Sequence, residues 1–263
     1  ACLNGCGLHR GDTVVAVGGG ALTDAAGFIA ATYLRGLEAV YVPTTLLGAV
    51  DAAIGGKTAL NVGGKNLVGV FRHPARVLID TAVLAGLPRP LLQEGAAEAV
   101  KAGLIGDPAL VVLFEDHGLD APLDEVVYRA VAVKAGIVAA DFTETGRRTV
   151  LNYGHTIGHA VEYASGISHG AAVAIGMVAA GAASAAATGF AEEDRQRLLL
   201  ERLGLPTTAP AVDGGEVRRI LALDKKRDAG GLRMVLLRAV GEPVVAHVAP
   251  ATVEAALRAA GIE

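Results

Sequence analysis

The fold is decided by the segment Thr13-Val14-Val15-Ala16-Val17-Gly18-Gly19-Gly20. Its first five residues are small or β-branched and show no polar alternation, which is typical of a parallel strand buried on both faces. Three glycines follow, and a helical pattern runs from about residue 23 to 33. A strand, a glycine turn and a helix in this order place phosphate at the helix N-terminus. A glycine triplet alone is a weak signal, so its neighbours matter.

Two further strands are predicted in the same part of the chain, at residues 39–42 and 77–80. Thr44 and Thr45 follow the first of them. Ligands of an open α/β sheet gather along the carboxyl ends of its strands. The two threonines therefore strengthen the prediction of a phosphate or cofactor site at this edge.

The pattern changes near Pro88. Beyond it, apolar residues recur with helical spacing in segments that we predict as helices: 89–105, 108–117, 122–140, 154–164, 170–188, 192–203 and 214–223. A hairpin closes the sequence, with strands at 233–238 and 244–248. We therefore predict an α/β domain over residues 1–88 and a mainly helical domain with a small hairpin over residues 89–263.

Composition limits the functional classes. The 263 residues include 35 glycines and no tryptophan, which favours a Gly/Ala-packed soluble α/β protein. The net charge of −4, with no basic stripe, argues against nucleic acid as a partner. Cys2 and Cys6 are predicted to be free thiols in a reducing cytoplasm. The uncharged run 170–191 could span a bilayer by length, but its Ala and Gly content favours a core helix over a membrane helix.

The histidines predict a metal site. Gly154-His155-Thr156-Ile157-Gly158-His159 places two imidazoles four residues apart on one helix face, and His169 follows. Glu98 is the one acid in the apolar run 95–105. Two histidines and one carboxylate with an open position form a common catalytic zinc set. Spacing alone leaves open which histidine stays free, and two solvent-facing histidines are the alternative. Glycine in a helix costs about 1 kcal/mol relative to Ala, so the flanking glycines predict close helix packing.

The lysines are few and clustered. The 23 basic residues comprise 17 arginines and six lysines, which are Lys57, Lys65, Lys101, Lys134, Lys225 and Lys226. Lys57, Lys65, Lys225 and Lys226 stand in glycine-rich or polar segments that we predict as loops at a site, and Lys101 lies three residues after Glu98. Lysine offers three rotatable donors and a tunable pKa, which suits contacts to phosphate, hydroxyl and carboxylate groups. The alternative is a composition that favours arginine and leaves six lysines at random positions.

Together these segments resemble the 3-dehydroquinate synthases of the sugar-phosphate cyclase superfamily. The resemblance runs from about residue 12 to residue 245. Its motifs, in order, are Gly18-Gly19-Gly20-(x3)-Asp24, Pro43-Thr44-Thr45-Leu46-Leu47, Asp51-(x3)-Gly55-Gly56-Lys57-Thr58, Gly64-Lys65-Asn66-Leu67, Glu98-(x2)-Lys101, Leu151-Asn152-Tyr153-Gly154-His155-Thr156-Ile157-Gly158-His159 and His169-Gly170.

The resemblance implies a partial Rossmann-like NAD-binding domain, beginning in the middle of the family's N-terminal domain, and a helical metal- and substrate-binding domain. It also implies a carbon–oxygen lyase that converts 3-deoxy-D-arabino-heptulosonate 7-phosphate to 3-dehydroquinate and phosphate. The steps would be transient oxidation by NAD, phosphate elimination, reduction and intramolecular aldol closure. The implied cofactors are NAD and one zinc or cobalt ion. The implied partners are a sugar phosphate and a second copy in a homodimer, in the cytoplasm.

The resemblance also assigns residue roles. The implied metal ligands are Glu98, His155 and His169. The implied cofactor-binding residues are Gly19, Gly20, Asp24, Thr44, Thr45, Lys57 and Lys65. The implied catalytic residues are Asp51, Lys57, Lys101, Lys134, Arg148, Asn152 and His159. The implied substrate-binding residues are Arg35, Asn66, Lys225 and Lys226, with Arg35 reaching the site of the partner subunit.

The chain departs from the family pattern in small ways. The segment 61–66 is one residue short, Ala171 replaces a family Glu after His169-Gly170, and Gly86 replaces a frequent Thr. The alternatives are amino-dehydroquinate, 2-deoxy-scyllo-inosose and 2-epi-5-epi-valiolone synthases. His159 argues against the valiolone enzyme and Asn152 against the inosose enzyme. More distant alternatives are a metal-dependent alcohol or glycerol dehydrogenase and a non-catalytic remnant that serves as a binding partner.

Overall fold

The computed structural model describes residues 5–60, 62, 67–223 and 232–263. The first part of the chain contains β1 (Thr13–Gly18), α1 (Gly20–Thr32), β2 (Glu38–Pro43), β3 (Lys57–Leu60), β4 (Val68–Phe71), β5 (Arg76–Val77) and α2 (Thr81–Ala85). Strands β1, β2 and β5 form a parallel sheet in the order β1-β2-β5. The predicted strand, glycine turn and helix are therefore confirmed. The prediction that this strand is buried on both faces is wrong, because Val15 and Val17 are 60% and 58% exposed.

Helix α1 lies close to the parallel sheet. A Cβ on Gly27 would lie 2.0 Å from the Tyr41 hydroxyl oxygen, so only glycine allows this approach. The third strand covers only Arg76–Val77 and is therefore shorter than the predicted strand 77–80. Beyond Val77 the chain leaves the sheet, and Asp80 is the N-cap residue of helix α2. The side chain of Asp80 accepts a hydrogen bond from the Ala82 amide at 2.9 Å.

The segment that begins at Lys57 was expected to be a loop, and this expectation is wrong. Lys57–Leu60 and Val68–Phe71 form an antiparallel hairpin in which Lys57 is paired with Phe71. Gly55 and Gly56 have φ values of 99° and 68°, so they supply the turn that precedes the first strand. Lys65 and Asn66 lie between these strands, outside the described residues.

The rest of the chain is mainly helical, as predicted. It contains α3 (Arg89–Gly106), α4 (Pro108–His117), α5 (Leu123–Ala140), α6 (His155–Ser165), α7 (His169–Thr188), α8 (Glu193–Arg202), α9 (Gly214–Leu223), β6 (Leu232–Leu237), β7 (Pro243–Val248) and α10 (Pro250–Ala259). The C-terminal hairpin is confirmed. Helix α10 was not predicted, although Pro250 at its first position is a helix-start signal.

Helix α7 is the centre of the helical part. It is long and apolar enough to cross a membrane, yet 72% of its most apolar window is buried inside the fold. Ile175 and Met177 are completely buried. The prediction of a core helix is confirmed, and α7 places His169, its first residue, against the buried surface of α3.

Candidate active site

Three side chains from three helices converge on one point. Glu98 lies in the middle of α3, whereas His155 and His169 begin α6 and α7. The Nε2 atoms of both histidines lie 3.2 Å from Glu98 Oε1. One ligand atom from each residue lies within 4.8 Å of the others, which is the spacing that a metal ion requires. The geometry therefore brings Glu98, His155 and His169 together as one possible ligand group, and His159, Glu162 and His169 form a second one among the described residues.

Glycines bring the two histidine helices together. Gly154 has φ 77° and precedes α6 directly. A Cβ on Gly176 of α7 would lie 1.9 Å from the Gly154 carbonyl oxygen, and one on Gly158 would lie 2.8 Å from the Ala172 carbonyl oxygen. The predicted close packing is thus confirmed. It aligns the first turns of α6 and α7 and sets both imidazoles on the same side.

The other ring nitrogen of each histidine also has a partner. His155 Nδ1 lies 3.0 Å from the Tyr153 carbonyl oxygen, and His169 Nδ1 lies 3.2 Å from Glu162 Oε2. Burial by itself lowers the pKa of His169, but Glu162 and Glu98 outweigh it and raise the pKa to about 9. Sequence reasoning missed Glu162. It lies seven residues after His155 on the same helix face, which is a usable signal.

Two buried lysines surround a shared carboxylate beside this cluster. Lys134 Nζ donates to Asp51 Oδ1 and to the Asp51 carbonyl oxygen, both at 2.6 Å. Lys101 pairs with Glu98 and lies 3.7 Å from Asp51 Oδ1. Burial lowers the pKa of Lys134, an effect that Asp51 only partly offsets. Burial raises the pKa of Asp51, but Lys134 and Lys101 lower it by more, so this carboxylate stays ionised.

One cavity of about 430 Å³ connects these groups to the parallel sheet. Gly20 at the start of α1 and Asp24 one turn later line its far side. The predicted site residues that line it are Gly20, Asp24, Asp51, Lys57, Lys101, Lys134, Arg148, Asn152, His155, His159 and His169. Burial, and then the nearby Asp51 charge, raise the pKa of Asp24 to about 6.

Three predicted cofactor residues lie beside this cavity and do not line it. Thr45 Oγ1 accepts from the Gly48 amide at 3.1 Å, and the Thr44 amide donates to the Gly18 carbonyl oxygen at 2.9 Å. A Cβ on Gly19 would lie 3.3 Å from Thr45 Cγ2. These contacts fix the turn between β1 and α1.

A second cavity of about 450 Å³ lies on the other side of Lys57 and Asn152. Glu144 extends into it, pairs with Lys57, and accepts from Asn152 Nδ2 at 2.9 Å through its other oxygen. Arg233 of β6 also lines this cavity. Sequence reasoning missed Glu144 and Arg233, because an acid in a polar loop and an arginine on a strand carry no distinctive signal.

Arg148 is buried, with 1% of its surface exposed. Its Nη1 donates to the Phe142 carbonyl oxygen at 2.5 Å, and its guanidinium carbon lies 5.5 Å from the centre of the Phe71 ring. Its Nε has no hydrogen-bond partner among the residues that the structure describes. Burial lowers the pKa of Arg148. A buried donor without a partner is suited to receive an anionic group.

The remaining predicted residues lie elsewhere. Arg35 is exposed at the end of the 3-10 turn Tyr33–Arg35, with φ 65°, and it lines neither cavity. Lys225 and Lys226, like Lys65 and Asn66, lie outside the described residues. The site described above is therefore formed without them.

Comparisons with known proteins match both parts of the chain. Residues 1–94 match the family model described as 3-dehydroquinate synthase N-terminal, and residues 95–227 match the one described as 3-dehydroquinate synthase C-terminal. A 3-dehydroquinate synthase from Rhodococcus opacus is 48% identical over 248 residues, which are 90% of this chain and 67% of the relative. The chain thus spans about two thirds of the length of this curated relative.

Solved structures are similar across nearly the whole chain. A 2-deoxy-scyllo-inosose synthase, complexed with carbaglucose-6-phosphate, NAD+ and Co2+, is 31% identical, with a TM-score of 0.88 over 99% of this chain and 77% of that one. A 2-epi-5-epi-valiolone synthase from Streptomyces hygroscopicus, with NAD+ and Zn2+ bound, is 33% identical, with a TM-score of 0.88 over 98% of this chain and 76% of that one. Both family models match in chain order, and together they cover more than half of the sequence. The chain belongs to the 3-dehydroquinate synthase family.

Proposed function

We propose that the protein is a 3-dehydroquinate synthase, which converts 3-deoxy-D-arabino-heptulosonate 7-phosphate to 3-dehydroquinate and phosphate. One observation carries this proposal. His155 and His169 of the metal cluster open onto the same cavity as two buried lysines and Gly20 at the start of α1. A redox cofactor, a divalent ion and a polyhydroxylated anion would all find complementary groups there.

We infer that Glu98, His155 and His169 hold the divalent ion. Their donor set, two imidazoles and one carboxylate with an open position, is that of catalytic zinc, and cobalt accepts the same ligands. We infer that NAD lies along Gly19, Gly20, Asp24, Thr44 and Thr45. No side chain caps the N-terminus of α1 among the described residues, so its amides can receive a pyrophosphate.

Two buried lysines would assist the chemistry of the cofactor and the ion. When bound, NAD supplies transient oxidation of a substrate alcohol, and the divalent ion polarises the oxygen of that alcohol. Lys101 and Lys134 place ammonium donors beside the metal cluster, where they orient the substrate hydroxyls. Because burial lowers the pKa of Lys134, its Nζ can release and regain a proton more readily than an exposed lysine. The buried cavity walls confine the substrate for ring closure.

We infer that the anionic ends of the substrate lie near Lys57 and Asn152, which line both cavities. Lys57 and Arg148 are proposed to bind the carboxylate, and the partnerless Arg148 Nε supports this assignment. Asn152 and His159 are proposed to bind the phosphate together with Asn66 and one of Lys225 or Lys226. Lys65 is proposed to contact NAD. The last four lie outside the described residues.

We further propose that the protein is a cytoplasmic homodimer and that Arg35 reaches the phosphate region of the partner subunit. Arg35 is exposed and lines neither cavity, and both observations support this role. Residues 1–88 and 89–263 are proposed as the two domains, since α3 begins at Arg89 directly after the α/β part. Mixing Arg35→Ala subunits with Lys101→Ala subunits should restore some activity in verified mixed dimers, and no recovery would exclude the role of Arg35.

The function is tested by following phosphate release from the heptulosonate phosphate in the presence of the metal and catalytic NAD. We expect phosphate release without net formation of NADH, since the cofactor is regenerated in each turnover. Stoichiometric accumulation of NADH with a simple alcohol would instead indicate a dehydrogenase. Turnover of a sugar phosphate without a carboxylate in preference to the heptulosonate would indicate one of the sister cyclases.

A further inference from the structure

Glu94 lies one helical turn before Glu98 on α3. Residues four apart lie on the same helix face, so this face presents two carboxylates to the beginning of α7. Glu98 reaches the imidazole of His169. Glu94 reaches the backbone on both sides of that histidine.

The contacts of Glu94 close the N-terminus of α7. Glu94 Oε2 accepts from the Gly170 amide at 2.9 Å, and Glu94 Oε1 accepts from the Ser168 hydroxyl. Ser168 is the N-cap residue of α7, but its side chain makes no cap hydrogen bond to its own helix. Glu94 therefore replaces it as the cap, and its negative charge is favourable at the positive end of the helix dipole.

The two helices also touch through their backbones. A Cβ on Gly170 would lie 2.6 Å from the Glu94 carbonyl oxygen, so the chain on the C-terminal side of His169 is pressed directly against α3. His169 is consequently fixed at three points: its backbone by Glu94, its Nδ1 by Glu162 and its Nε2 toward Glu98. The first turn of α7 has no carboxylate of its own, since Ala171 follows Gly170, so the carboxylate at this helix end comes from Glu94.

We propose that Glu94 is a positioning residue for the metal site, because it sets the backbone of His169 so that Nε2 faces the metal position. This inference rests on the metal assignment made under the proposed function. Glu94 itself does not belong to either group of potential ligands among the described residues. It acts through His169, as partners behind metal ligands commonly do.

The test is a titration of the metal-free protein with Co²⁺, followed by the visible absorption of the bound ion. Glu94→Ala should raise the Kd for Co²⁺ about tenfold to a hundredfold and change the absorption bands. Glu94→Gln, which can still accept one hydrogen bond, should show a smaller increase. Glu115→Ala is the matched control, since Glu115 pairs with Arg195 and belongs to neither group of potential metal ligands among the described residues. It should lower the thermal midpoint but leave the Kd unchanged.

A His169→Ala background separates positioning from general stability. In that background, Glu94→Ala should not weaken Co²⁺ binding further, because Glu94 is proposed to act through the imidazole of His169, which this background lacks. Equal Kd values for Glu94→Gln, Glu94→Ala and Glu115→Ala would overturn the inference and leave the metal assignment intact. Absence of stoichiometric Co²⁺ binding by the unsubstituted protein would overturn the metal assignment and this inference together.

Discussion

Glu144 forms an ion pair with Lys57, a residue 87 positions earlier in the chain. Its other carboxylate oxygen accepts from Asn152. One internal carboxylate thus satisfies a cation and an amide that we propose bind the anionic ends of the substrate. Glu144 has φ 60°, in the left-handed region that residues other than glycine seldom occupy. We infer that an anionic substrate has to displace this side chain when it enters.

Replacing Glu144 with Gln should therefore strengthen anion binding. We expect inorganic phosphate to bind up to about fivefold more tightly, because an exposed ion pair is worth up to about 1 kcal/mol. Calorimetric titration with phosphate measures the effect. Glu216→Gln removes the same charge from a surface pair with Arg219 and controls for net charge. Weaker phosphate binding in Glu144→Gln alone would show that the carboxylate supports the anion site.

Asp24 should make stability depend on pH. Burial raises its pKa from 3.8 to about 6, so the native state binds more protons than the unfolded state between these values. The contribution of Asp24 to stability is then fully present below pH 3.8 and is lost as the pH rises through about 6. Asp24→Asn should be more stable than the unsubstituted protein by about 1 to 2 kcal/mol at pH 7, after allowance for partial exposure, with little gain at pH 4.

Urea unfolding of both proteins at the two pH values measures this difference. The variant should also bind NAD more weakly. A buried carboxylate that costs stability at a proposed cofactor site is expected to contribute to cofactor binding. A constant stability difference at both pH values would show that the pKa of Asp24 is not raised.

Gly176→Ala should disrupt the metal site by separating α6 from α7. The added methyl group would meet the Gly154 carbonyl oxygen at 1.9 Å, and overpacking of this kind costs about 3 kcal/mol. Gly136→Ala is the matched control, because nothing lies within 4 Å of its Cβ on helix α5. It should stabilise the protein by about 1 kcal/mol. Unfolding free energies and metal content should fall together only in Gly176→Ala.

Metal binding should release a proton from His169. Its pKa of about 9 in the metal-free protein means that the ring is protonated at pH 8, and a protonated nitrogen cannot bind a metal. Calorimetry of Co²⁺ binding in buffers of different ionisation enthalpy should give about one proton released at pH 8. Glu162→Gln should reduce that number, since Glu162 is the largest contribution that raises this pKa. No release at pH 8 would contradict the raised pKa.

Local patterns predicted most of the fold. The glycine turn after β1 and the helical spacing beyond Pro88 depend on short segments, so they were visible in the sequence. The hairpin that begins at Lys57 was not, because its pairing with Phe71 is a tertiary contact. Gly55 and Gly56, which precede this hairpin, are typical of a loop. Residue types and spacing likewise predicted the four metal candidates. The family resemblance implied which two histidines bind the ion, and the structure shows that these two lie beside Glu98.

The residues around the ligands were harder to predict. Glu94, Glu144 and Glu162 are acids in ordinary helix or loop positions, and their partners lie 7 to 87 positions away in the chain. Only the packed structure shows which acids face inward. The family resemblance supplied roles for the lysines that residue types alone left open.

The central claim is tested most directly by the metal content of two histidine variants after equilibrium dialysis against Zn²⁺. His155→Ala should retain well under one equivalent, because it removes a ligand from the Glu98 cluster. His159→Ala should retain about one equivalent and lose phosphate binding instead. Full occupancy in His155→Ala with loss only in His159→Ala would contradict the account, since the ion would then lie among His159, Glu162 and His169.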